Sequence, residues 1–164
     1  MIRRLLLDST AAAAAEMALI VPLLIMLILG SFELGNYFWN SHIVIKAVRD
    51  GARYASRQTF DNFDCDRATV SDGVKLTTRN IVRTNQVATG GSARLPRWTD
   101  PEMVDIEMRP EPLAEYRGFY VGMECVPVVI VTATVPYRPL LGMMGFDTLD
   151  VNLKAISEVP VMGL

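Results

Sequence analysis

Along the first third of the chain the hydrophobic pattern changes character without breaking. From Ala11 to Gly30 the positions are apolar apart from a single charge, Glu16. Roughly 20 such residues at ~1.5 Å each match a hydrocarbon core of about 30 Å, so the block predicts a membrane-spanning helix. Beyond Gly30 polar residues enter at helical spacing. Leu34, Phe38, Ile45, Val48, Ala52 and Ala55 recur at intervals of three, four or seven and form one apolar stripe. Lys46, Arg49, Arg53 and Arg57 share another face, with Asp50 among them. One helix from about Ser9 to Gln58 is expected, roughly 75 Å long, whose far half leaves the bilayer and cradles a soluble domain. Pro22 lacks an N–H and opposes the carbonyl four residues back, which predicts a kink.

The remaining pattern is that of a small mixed domain. A second helix is expected over about Asp66–Ala88, with Val70, Val74, Thr77, Ile81 and Ala88 inward and Gly90-Gly91 as its stop. Val104, Ile106 and Met108 alternate with Asp105, Glu107 and Arg109, which predicts a half-buried strand. "VVIVTATVPY" is apolar on both faces and reads as a central strand that Pro136 and Pro139 end. Leu149, Val151, Leu153 and Ala155 mark a third strand. The predicted class is α+β: a long N-terminal transmembrane and amphipathic helix packed on a small antiparallel sheet, with a second helix.

Composition narrows the chemistry. The 164 residues leave room for one modest domain beside a membrane segment, and a net charge of −2 gives no field for nucleic acid. His42 is the lone imidazole and Cys65 and Cys125 the only thiols, too few for a usual zinc site. No Ser/His/Asp or Cys/His pair and no phosphate-cradling glycine loop is evident. Asp64 and Asp66 read as turn and cap residues. Neither an enzyme nor a bound cofactor is expected.

Glu16 is the informative residue. A cleaved secretory signal needs a small-x-small site after the apolar run, whereas bulky Phe32, Tyr37, Phe38 and Trp39 follow Leu29. A plain anchor explains the length but gives the acid no task. A short basic leader, a cluster of small residues, a glutamate and then an unbroken apolar run is the prepilin order. In that pattern the glutamate is the fifth mature residue, so the cut falls between Ala11 and Ala12. The freed Ala12 ammonium then lies one helical turn from Glu16, and in a low dielectric the chain's own amine or a neighbour's neutralises the acid.

"AAAAAEMALIVPLLIMLILGSFELGNYFW" followed by "AVRDGARYAS" resembles the TadE-like proteins, minor pilins or pseudopilins of tight-adherence (Tad/Flp) pilus systems. The resemblance covers Ala11 to Ala55 and rests on Glu16, Ala18, Pro22, Leu24, Glu33, Leu34, Gly35, Arg49, Asp50, Gly51, Ala52, Arg53, Tyr54 and Ala55. The family's Gly before the cut is Ala11 in this chain, and its Phe after the glutamate is Met17.

The resemblance implies a precursor in the inner membrane, with residues 1–11 a cytoplasmic leader, 12–58 the long helix and 59–164 an extracytoplasmic head. It decides for a cytoplasmic N-terminus over the raw count of positive charges, which favours the reverse. The implied partners are the lipid bilayer, a prepilin peptidase, other pilins or pseudopilins of the Tad system and the inner-membrane assembly platform. The implied roles are pilus assembly, adhesion and biofilm formation. In that topology Cys65 and Cys125 are extracytoplasmic, where a disulfide persists; two unpaired thiols are the alternative. The competing function is an uncleaved bitopic protein whose outer domain binds or scaffolds a secretion or pilus complex.

Overall fold

The computed structural model describes residues 9–113, 118–145 and 151–163. Helix α1 runs unbroken over Ser9–Ser56, 48 residues with Pro22 inside it. A hairpin of β1 (Phe63–Asp64) and β2 (Thr69–Val70) follows, then helix α2 (Asp72–Thr84). Strands β3 (Val104–Glu111), β4 (Val126–Pro136) and β5 (Asn152–Pro160) complete the described elements. They form an antiparallel sheet of order β3-β4-β5, so the strand apolar on both faces is central, as its pattern requires.

Two units divide the chain. One holds α1 as far as Phe38 together with the loop that begins at Pro139; the other holds Trp39–Arg138 and the chain from Leu149. In the second unit α1 buries Val44, Ala47, Val48, Gly51, Ala52 and Ala55, while Arg49 and Arg53 stay exposed. The buried stripe therefore starts later than the spacing predicts: Leu34 and Phe38 are exposed and belong to the first unit. Small residues dominate the stripe because α2 comes close. A Cβ on Gly51 would collide with Val82 Cγ2 and lie 3.3 Å from Thr78 Cγ2.

Helix α2 is shorter than predicted. Residues up to Val70 are used by the β1–β2 hairpin, so the helix opens at Asp72 after the N-cap position Ser71. It ends at Asn85, which adopts φ 61° and donates its N–H to the Ile81 carbonyl, well before Gly90-Gly91. Asparagine tolerates that left-handed conformation better than most residues, which makes it an effective stop. Starting at Asp72 also changes the inner face. Val74, Thr78 and Val82, four apart, are buried, whereas Thr77 and Ile81 are half-exposed.

The sheet buries Val104, Ile106 and Met108 of β3, Val129, Val131 and Ala133 of β4, and Leu153 and Ala155 of β5. Each aliphatic side chain fully removed from water contributes about 1.5–3 kcal/mol. Strand β5 is displaced relative to the strand that Leu149, Val151, Leu153 and Ala155 mark. It begins at Asn152 and continues to Pro160, because the 11-residue β4 offers partners as far as the Val128↔Pro160 pair. Leu149 lies outside the described residues. On the outer face Arg109 reaches across β4 to Glu158, at 2.7 Å, and also bonds Glu111. That canopy leaves Val128 beneath it only 5% exposed. The two carboxylates hold the Arg109 guanidinium above its usual pKa, with Glu111 the larger influence.

Cys65 and Cys125 form a disulfide with a Cα–Cα distance of 6.0 Å, closing a loop of 60 residues. It joins the β1–β2 hairpin to the segment that leads into β4. Three further bonds fasten the same region. The Val161 N–H donates to the Pro127 carbonyl, the Met162 N–H to the Ser56 carbonyl, and the Tyr120 hydroxyl to the Val161 carbonyl.

Candidate assembly helix

The candidate site is built on α1. Its apolar half stays helical because Leu, Met and Ala lose little side-chain freedom there, and because an unpaired backbone would be costly in hydrocarbon. Pro22 deprives the Ala18 carbonyl of its usual N–H partner, yet the helix continues through it. Ser31 returns its hydroxyl to the Leu27 carbonyl at 2.7 Å, so its polar atom is satisfied within the helix. Large apolar side chains point outward all round: Leu19 is 79% exposed, Met26 72% and Phe32 66%. One helix of the described residues is long and apolar enough to cross a membrane, and it is this one. Such a surface in water would be an aggregation site; in a bilayer or against other apolar helices it is matched.

Glu16 is exposed on this surface. It and Ala12 both lie within continuous helix, four residues apart, so they share one face. The Ala11–Ala12 bond falls in the first turn of the described helix, while Met1–Asp8 of the predicted leader lies outside the described residues. Glu33 sits elsewhere and does a different job. Its carboxylate accepts the Leu141 N–H at 3.0 Å, at the start of a short 3-10 turn, Leu141–Met144.

The second cluster of motif residues, Arg49 to Tyr54, is architectural. Asp50 pairs with Arg94 at 3.3 Å, and the same Arg94 nitrogen reaches the Ile81 carbonyl and Asn85 Oδ1 at the end of α2. Gly51 is the point of closest approach to α2. Arg49 and Arg53 face out, and Tyr54 is half-buried with its carbonyl accepting from Gln58 Nε2 at 3.1 Å. The motif thus locks α1 to α2 through one small residue and one ion pair. Sequence reasoning did not find Arg94, since nothing in "SARLPRW" ties that arginine to a helix 44 positions earlier.

Among the described residues no group of three or more His, Cys, Asp or Glu side chains comes together to hold a metal. Asp64 ends β1 and caps the turn that follows, accepting from the Arg67 backbone N–H and from its guanidinium, both at 2.9 Å. The backbone bond first and the side-chain bond second hold its carboxyl below the ordinary value.

Fold and surface together define an α+β protein with a long N-terminal helix, whose apolar run to Gly30 carries a single charge, Glu16. A family model described as TadE-like protein matches residues 11–53, about a quarter of the chain and all but the last two residues of the stretch on which the resemblance rests. No curated protein and no solved structure gives a match.

Proposed function

We propose that the protein is a minor pilin or pseudopilin of a Tad-type pilus. The precursor lies in the inner membrane with its N-terminus cytoplasmic and its head outside. A prepilin peptidase cuts between Ala11 and Ala12. The mature helix then moves from lipid into a helical bundle with other pilins or pseudopilins, at the assembly platform, and contributes to pilus assembly, adhesion and biofilm formation. Glu16 sets the axial register by pairing with an N-terminal ammonium, its own or a neighbour's.

The observation that carries this reading is the combination on one helix of an outward apolar surface with a single carboxylate one turn from Ala12, within the family-matched segment. A carboxylate in hydrocarbon is costly unless it is paired, and cleavage would create the pairing cation. A minor rather than a major subunit is favoured by size. The major Flp pilins resemble little more than the helix, whereas this chain carries a disulfide-closed head.

The test is to replace Glu16 by Gln and by Ala and to follow processing and incorporation separately. Processing is expected to continue while incorporation into pili is lost. Full incorporation of both variants would remove the acid from the mechanism. An uncut N-terminus in cells with active peptidase would favour the uncleaved bitopic anchor.

A further inference from the structure

The β4–β5 connection is an unusual hairpin loop. The ladder closes with the Tyr137 N–H on the Val151 carbonyl at 2.9 Å, and the chain between them runs far beyond a tight turn. Pro139 to Gly145, "PLLGMMG", carries no charge and no polar side chain. Hairpin loops in water are rich in Asn, Asp and Ser as well as Gly; this segment keeps two glycines but has none of those polar residues, which return only at Asp147, Thr148 and Asp150.

Its placement gives a reason. The loop groups with the apolar end of α1 instead of with the sheet whose strands it joins. It is fastened there by the Glu33 carboxylate, which accepts the Leu141 N–H. Glu33 lies sixteen residues beyond Met17, about 24 Å along the helix at ~1.5 Å per residue, where a core of about 30 Å is giving way to headgroups. Phe32, Leu34 and Phe38 around it are more than half exposed, and the Tyr37 and Phe38 rings meet edge-on at 5.9 Å. Aromatic side chains at a span's end are the usual markers of the interface.

The backbone of the loop is also suited to that depth. Non-helical chain near the hydrocarbon must satisfy its own polar groups. The Leu141 N–H, which the short 3-10 turn cannot satisfy, goes to Glu33. The Gly145 N–H closes on the Gly142 carbonyl at 3.2 Å, with Gly145 at φ 90° ending the turn. Leu140 is left 47% exposed.

From these observations we infer that Pro139–Gly145 is a second lipid contact. It is an apolar loop seated in the interface of the same leaflet where α1 emerges, tethered to the helix by Glu33. The inference rests on α1 spanning the membrane. The lipid surface is chosen over a protein partner because the loop continues the apolar surface of the span itself. Between translocation and assembly the chain would then hold the membrane at two points, the helix and the loop, which limits rotation of the chain about the helix axis.

The test uses the full chain reconstituted in phosphatidylcholine/phosphatidylglycerol vesicles. With the native cysteines joined and none free among the described residues, nitroxide labels go on Leu140→Cys, Leu24→Cys and Val87→Cys singly. Accessibility to oxygen and to a neutral nickel chelate is then compared. The Leu24 label is expected deep and the Val87 label aqueous; the Leu140 label is expected to lose nickel accessibility relative to Val87 while keeping oxygen accessibility. A deep Leu24 label with a Leu140 label as nickel-accessible as Val87 overturns the loop contact alone. A Leu140 label shielded from both reagents means a protein contact and also overturns it. An aqueous Leu24 label overturns the span and the loop together. Glu33→Ala is expected to raise nickel accessibility at Leu140, and no change would overturn the tether.

Discussion

Gly35 and Gly51 occupy the same helix and are surrounded by different worlds. Nothing lies within 4 Å of the Cβ position at Gly35, whereas at Gly51 the side chains of Val82 and Thr78 already fill the space. Up to Phe38 the helix shows large apolar side chains outward. From Val44 it buries small ones against its own domain. A single continuous element therefore serves two solvents. Its first half has a surface waiting for lipid or other helices, and its second is a completed core face. Helical propensity is shared between the halves. The sizes of the side chains are what differ, and they separate an outward apolar surface from a domain core.

The largest way to break that comparison is to remove the disulfide. Cys125→Ser opens a 60-residue loop, and the chain-entropy relation assigns such a closure about 4 kcal/mol. The head should melt at a far lower temperature, followed by fluorescence of the fully buried Trp98, while membrane insertion of α1 is unchanged. Unaltered melting would show that the head does not depend on the bridge.

Next comes the pair of glycines. Gly51→Ala must displace Val82, and overpacking of this kind costs about 1–3 kcal/mol. Gly35→Ala meets nothing and gains up to ~1 kcal/mol of helix propensity in an exposed setting. Thermal unfolding in detergent should therefore fall for the first and hold for the second. Equal effects at the two positions would erase the distinction between the halves.

Much of this division was readable in the residues. The uncharged run, Glu16 at its start and the turn to amphipathic spacing after Gly30 come from composition and period alone. The alternation in β3 and the two-sided apolar β4 gave the sheet and its centre. What failed depended on competition between neighbours. Asp66–Val70 has helical pattern, but the hairpin pairing Phe63 with Val70 claims it, and the disulfide at Cys65 fastens it there. Leu34 and Phe38 keep the helical spacing of the core stripe yet belong to the outward half, because periodicity marks a face without saying what covers it. The roles of Asp50 and Gly51 required tertiary partners, Arg94 and Val82, that no local pattern announces. The run "PLLGMMG" can be read in the residues, but its fastening to Glu33 cannot, because nothing local ties Leu141 to a helix residue 108 positions earlier.

The most direct measurement is the N-terminal residue of this polypeptide recovered from sheared, purified pili, read by peptide mass spectrometry. A chain that begins at Ala12, placing its new ammonium one turn from Glu16, is the predicted result. Pili free of the protein, together with a membrane-bound chain that still carries Met1 or Ile2, would contradict the assembly role assigned to the helix.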